Sequence, residues 1–132
     1  INEQTKKAEA EGKKVGIITA KAPALGEKHF RGVDISDVDK VVYGIEDTDF
    51  GQTFFKDCDY IDLDLAKEEM VKVGQKMLAE HPDVGAIVLE CTNMPPFTKA
   101  LQESTGLPVF DVINLIRYVH DAIVSPGYNG YM

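Results

Sequence analysis

The sequence predicts an α/β fold: one open, four-stranded parallel sheet with helices on both of its faces. Short runs rich in β-branched residues alternate along the chain with segments of helical period, as in β–α–β units joined by right-handed crossovers. The strand candidates are apolar along most of their length, which is typical of strands buried on both faces. The chain has 132 residues, 44% of them hydrophobic, so it has the size and composition of one globular domain.

The first half of the chain contains two predicted strands and one predicted helix. KKVGIITA, residues 13–20, is the first strand. Pro23 and the following ALGEKHFRG predict a helix that ends at Gly32. DKVVYGIED, residues 39–47, is the second strand. Residues 48–64 are acidic and aromatic without a clear period, so we expect an irregular connection there.

The second half contains the clearest helix. Apolar residues from Ala66 to Met77 recur at spacings of four, three and four, which predicts a helix over residues 65–81. Asp64 is its expected N-cap. Four further elements follow in order: the strand DVGAIVLEC, the helix PPFTKALQESTG closed by Gly106, the strand LPVFDVI and the amphipathic helix INLIRYVHDAIV.

Composition sets the domain boundaries and excludes several function classes. We expect a polar lead-in or helix at residues 1–12, a single α/β domain over residues 13–124 and a C-terminal tail at residues 125–132. The net charge of −8 argues against nucleic-acid or anionic-membrane partners. No run reaches the roughly 20 apolar residues of a membrane span and no signal-peptide pattern opens the chain. The two cysteines, Cys58 and Cys91, lie in very different contexts, which favours a cytoplasmic protein with free thiols.

The stretch VLECTNMPP is the strongest candidate site. Cys91, Thr92 and Asn93 follow a buried strand, and ligands of open parallel sheets bind at the carboxyl ends of strands. Pro95 begins a helix whose first turn should present free N–H groups and a positive dipole end. The Thr92 and Asn93 side chains add two more donors, and such a turn favours a thiolate. The pattern predicts a small carboxylic acid held beside a reactive sulfur; the alternative is a buried structural cysteine followed by a turn.

The other polar residues receive simpler interpretations. Cys58 lies between two aspartates in a predicted loop, so we interpret it as an ordinary loop thiol. His120 is interpreted as a residue at the edge of the last helix. Asp111 either faces the same crevice as Cys91 or caps the following helix. Glu90 should alternate to the opposite face of the sheet from Cys91, which makes it a poor general base for that thiol. No short metal-ligand spacing is present.

The stretch GAIVLECTNMPPFTKALQESTGLPVFDVINLIRYVH resembles the C-terminal part of the aspartate/glutamate racemase superfamily, particularly its Asp/Glu/hydantoin racemase-like members. KKVGIITA is similar as well, so the resemblance covers most of residues 13–120. Its most specific element is Cys-Thr-Asn after an apolar strand, supported by TGLPVFD. The resemblance implies that the chain is one lobe of a two-lobe fold in which each lobe contributes one cysteine.

This resemblance also implies an activity: cofactor-independent racemisation or isomerisation of a small amino acid or carboxylic acid. One thiolate would remove the α-proton and the opposite thiol would return a proton to the other face, without metal or pyridoxal. By resemblance, Cys91 is the catalytic thiol and Thr92 and Asn93 bind the substrate carboxylate. Thr19, at the end of the first strand, is a further substrate-binding candidate.

The chain departs from the family pattern because no preceding lobe supplies a second cysteine. Together with a first residue that is Ile1 and not methionine, this suggests a fragment that is inactive alone. It would pair as a homodimer or with a missing N-terminal lobe. Two alternatives remain open: a related single-cysteine decarboxylase or isomerase, and a non-catalytic carboxylate-binding or assembly domain.

Overall fold

Four parallel strands form one sheet in the order β2-β1-β3-β4. The computed structural model describes residues 13–56, 58–128 and 130, so the predicted lead-in at residues 1–12 lies outside the described residues. The strands are β1 (Lys14–Thr19), β2 (Lys40–Gly44), β3 (Val84–Leu89) and β4 (Val109–Phe110). Each neighbouring pair is parallel, which confirms the predicted fold class.

The helices lie between and after these strands. They are α1 (Glu27–Gly32), α2 (Asp49–Thr53), α3 (Leu63–Glu80), α4 (Thr98–Thr105) and α5 (Val112–Ile123), with short 3-10 turns at Ala22–Ala24 and Pro95–Phe97. Pro23 therefore lies within the 3-10 turn Ala22–Ala24, and the α-helix predicted after it starts only at Glu27. Gly106 ends α4 in the left-handed conformation at φ 68°, as expected for a glycine C-cap.

The two faces of the sheet carry separate apolar clusters. The larger cluster packs Ile18 and Leu89 of the strands against Met70 of α3 and Leu101 of α4. The smaller cluster, on the opposite face, contains Val15, Ile17, Val88 and Phe30 of α1. Helices thus cover both faces, as predicted. In contrast, α5 contributes no buried residue. Within the described residues, no helix combines the length and apolar composition needed to cross a bilayer.

The prediction of an irregular connection over residues 48–64 was wrong in part, because α2 forms there. Its start is held by the Thr48 side chain, which accepts from the Gly51 N–H at 2.8 Å. The Glu69 carboxylate of α3 accepts from the N–H groups of Asp49 at 3.1 Å and Phe50 at 2.7 Å. The Thr48 cap is local, but the Glu69 contacts come from a distant part of the chain, so the local pattern did not indicate the helix.

The start of α3 also differs from the prediction. Asp62, not Asp64, is the N-cap: its Oδ1 accepts from the N–H groups of Asp64 at 3.1 Å and Leu65 at 3.0 Å. The fourth strand is shorter than the predicted LPVFDVI, because Asp111 already caps α5.

Candidate functional site

The Cys91-Thr92-Asn93 turn lies at the carboxyl end of β3, where the sequence placed it. The Glu90 N–H still donates to the Ile18 carbonyl of β1 at 2.9 Å, so the ladder extends to the residue before the cysteine. The chain then turns, and the Met94 N–H donates to the Cys91 carbonyl at 3.1 Å. Cys91 therefore lies at the carboxyl edge of the sheet, the edge at which open parallel sheets bind their ligands.

The three side chains of this turn differ in burial. Cys91 is a free thiol, half-buried and packed against the larger apolar cluster. Thr92 and Asn93 are exposed. Among the described residues, no hydrogen bond engages either of their side chains, so the hydroxyl and the amide are available to a ligand.

The helix after this turn offers fewer donors than the sequence suggested. Pro95 and Pro96 occupy the first positions of the 3-10 turn and carry no N–H. The Phe97 N–H is already bonded to the Met94 carbonyl at 3.0 Å. The helix end therefore adds little to the hydrogen-bond donors that the Thr92 and Asn93 side chains provide.

Thr19 lies apart from this turn, beside Glu90. The Thr19 hydroxyl is buried and donates to Glu90 Oε2 at 2.8 Å. Both residues line a cleft of about 250 Å³ that also contains Lys21 and His29. Glu90 further lines a groove with Ile17 and Val88 of the smaller cluster, so it faces away from Cys91 as the strand alternation predicted.

A different pocket lies beside Asn93, on the side of the larger cluster. Its volume is about 380 Å³, and Asn93 lines it together with the phenylalanine rings Phe50, Phe54 and Phe97. Thr19 and Asn93 thus line separate cavities among the described residues, Thr19 the cleft with Glu90 and Asn93 the aromatic pocket. The sequence did not indicate the aromatic pocket, because two of its rings are placed by the α2 segment.

The remaining polar candidates take structural positions. Cys58 is exposed. His120 is exposed on α5, with its Nδ1 3.4 Å from Asp121 Oδ1. Asp111 is buried and caps α5, and it accepts a hydrogen bond from the Thr98 hydroxyl, so it does not face the crevice as an unpartnered carboxylate. Within the described residues, no group of three His, Cys, Asp or Glu side chains could hold a metal ion.

Comparison with known proteins gives one family and several relatives. Residues 3–116 match the Asp/Glu/Hydantoin racemase family. The chain is 34% identical over 105 residues to a dimethylsulfoniopropionate lyase of Durusdinium sp. clade D, an alignment covering 76% of this chain and 35% of that protein. It is 28% identical over 113 residues to dimethylsulfoniopropionate lyase 5 of Emiliania huxleyi (strain CCMP1516), covering 80% of this chain and 22% of that protein. The alignments therefore span about a third or less of the length of these curated relatives.

Proposed function

The chain belongs to the Asp/Glu/hydantoin racemase family, and from this premise we propose that it supplies the thiol acid/base of an enzyme that removes the α-proton of a small carboxylic acid. One observation carries the proposal: Cys91 adjoins the unengaged donors of Thr92 and Asn93 at the carboxyl end of β3. The reaction that the whole enzyme catalyses is proposed as well, because this chain aligns with only part of its relatives.

The chemistry requires two functions from this turn. The Cys91 thiolate accepts the α-proton, and negative charge then develops on the carboxylate of the enolate-like intermediate. The Thr92 hydroxyl and the Asn93 amide donate to those carboxylate oxygens and stabilise the developing charge. Both donors are exposed and Cys91 is half-buried, so a bound acid would cover the thiol as it engages the donors.

The names of the relatives favour elimination as the overall reaction, on dimethylsulfoniopropionate or a close analogue. The thiolate removes the proton α to the carboxylate, and the C–H electron pair forms a double bond between the α- and β-carbons. The bond from the β-carbon to the sulfonium sulfur breaks, and dimethyl sulfide leaves with that electron pair. Acrylate remains. This reaction needs only one acid/base on the α-carbon, in agreement with the single cysteine at the described strand ends.

Racemisation or isomerisation of an amino or carboxylic acid is the second candidate, supported by the family match. Inversion requires a second acid/base on the opposite side of the planar carbon. Cys58 is exposed in a connecting segment. A racemase would therefore take its second thiol from another lobe or another subunit.

The decisive variant is Cys91→Ser in the full-length protein that contains this chain. We expect the release of dimethyl sulfide from dimethylsulfoniopropionate to fall by at least about 100-fold, because a hydroxyl is a far weaker proton acceptor than a thiolate. Cys58→Ser is the matched control and should retain the wild-type rate. Solvent-deuterium incorporation into amino acids, measured in parallel, identifies a racemase. Wild-type rates of both elimination and exchange in Cys91→Ser would exclude the proposed role of the thiol.

A further inference from the structure

The pocket beside Asn93 has an aromatic wall. The Phe50 ring contacts Phe54 at a centroid distance of 5.1 Å and an interplanar angle of 66°, and it contacts Phe97 at 5.0 Å and 69°. Phe50 and Phe97 are buried, whereas Phe54 is half-buried. Phe54 is therefore the ring whose surface a ligand can reach most easily.

The electrostatics of this wall favour a cation. Aromatic faces carry negative potential and attract ammonium-type cations, most strongly where water is excluded. None of the described residues that line the pocket is basic. An adjoining cavity shares Phe50 with it and is lined by the carboxylates Asp49 and Asp62. The net charge of −8 acts in the same direction.

The lining of this pocket combines two kinds of chemistry. Asn93 contributes an amide, and its neighbour in the chain is Thr92. The phenylalanine rings contribute the aromatic wall. Cys91 and Phe54 both pack against the apolar cluster that contains Phe50, so the thiol and the rings lie on the same face of the sheet.

From this arrangement we propose that the pocket selects a zwitterionic substrate with a methylated onium group, a sulfonium or a quaternary ammonium. The rings take the cationic end while Asn93 and Thr92 hold the carboxylate. The position of the carboxylate rests on the proposed function; the selection for positive charge rests on the rings and the neighbouring carboxylates. A pocket that is merely apolar would instead accept a neutral branched acid equally well.

Equilibrium binding to the full-length Cys91→Ser protein, which prevents turnover, separates these cases. The probes are dimethylsulfoniopropionate and isocaproate, in which a CH group replaces the sulfonium sulfur. We expect the sulfonium compound to bind about 2- to 30-fold more tightly. Equal affinities would overturn the proposal.

Two variants of Phe54 test whether this pocket causes the preference for the sulfonium compound over isocaproate. Phe54→Leu should bring the affinity ratio close to one, whereas Phe54→Tyr, which keeps the aromatic face, should retain it. The matched control is Phe55→Leu, because the neighbouring Phe55 ring is exposed and lines the separate cleft with Thr19. An unchanged ratio in Phe54→Leu would show that the ring does not select the cation.

A charge at the pocket rim gives a test that does not disturb the core. Leu63 lines the pocket and is 61% exposed, so Leu63→Lys should fold normally. We expect it to weaken binding of the sulfonium compound relative to isocaproate, with Leu63→Gln as the neutral control. If Leu63→Lys left the ratio unchanged, the cation would not occupy this pocket. If Cys91→Ser loses turnover but binds the sulfonium compound and isocaproate equally well, this inference fails and the proposed function stands. If Cys91→Ser keeps wild-type turnover but binds the sulfonium compound more tightly, the proposed function fails and this inference stands.

Discussion

At the scale of single residues, the sequence predicted positions that depend on neighbouring residues and did not predict contacts between residues far apart in the chain. Cys91, Thr92 and Asn93 were located correctly at a strand end because they are consecutive and follow an apolar run. The hydrogen-bond partner of Thr19 could not be predicted from neighbouring residues, because the Glu90 carboxylate that accepts the bond is 71 positions away. Asp111 had two open interpretations, and its hydrogen bonds decide for the helix cap.

Asp111 connects three parts of the chain. Its Oδ1 accepts from the Asn114 N–H at 2.8 Å, and its own N–H donates to Asn114 Oδ1 at 2.8 Å. Its other carboxylate oxygen accepts from the Thr98 hydroxyl at the start of α4. The residue therefore fixes the corner between β4 and α5 and ties it to α4.

Removal of this carboxylate should destabilise the fold measurably. We expect Asp111→Ala to lower the free energy of unfolding by about 1 to 3 kcal/mol, through loss of the cap and of the partner of a buried hydroxyl. Asp111→Asn should cost less, because an amide can still accept from Asn114 and donate to Thr98. Urea unfolding of the two variants measures the difference. Equal stability of Asp111→Ala and the wild type would contradict this structural role.

At the scale of elements, the long helices and the buried strands were predictable because their periodicity extends over many residues. α2 was not, since it has only five residues and its start depends on Glu69 of α3. Gly51 lies within α2. In the structure, a Cβ at Gly51 would lie 1.7 Å from the Ile45 carbonyl oxygen, so the glycine allows the close approach of α2 to that backbone. The aromatic pocket depends on this helix and was missed with it.

The corrected start of α3 can be tested with two neighbouring aspartates. Asp62→Ala should lower the free energy of unfolding by about 1 kcal/mol, because it removes the side chain that accepts from two N–H groups of the first turn. Asp64→Ala should have a smaller effect, since the Asp64 carboxylate is exposed and its partner among the described residues is Lys67, at 3.3 Å across a surface ion pair. Chemical denaturation of both variants gives the comparison. A larger loss in Asp64→Ala would restore Asp64 as the cap.

At the scale of the whole molecule, α5 is the one α-helix of the described residues that buries none of its side chains. Ile113, Ile116 and Ile123 form an aliphatic stripe along it, with 38%, 56% and 77% of their surfaces exposed. A helix of 12 residues is marginal in water without packing against another surface. A second uncovered apolar surface is the groove of about 470 Å³ lined by Leu25, Phe30 and Val33 among others.

We predict that two copies of the 132-residue chain pair by placing α5 of each copy in the groove of the other. A two-fold arrangement covers both surfaces and leaves none unmatched. Lys28 at the groove and Asp121 on α5 are complementary in charge. Ile116→Glu and Val33→Glu should each produce monomers in sedimentation experiments, because each places a carboxylate in the shared apolar contact. Tyr60→Glu is the control, since Tyr60 is 79% exposed and belongs to neither surface. Dimers of unchanged affinity in both variants would rule out this pairing.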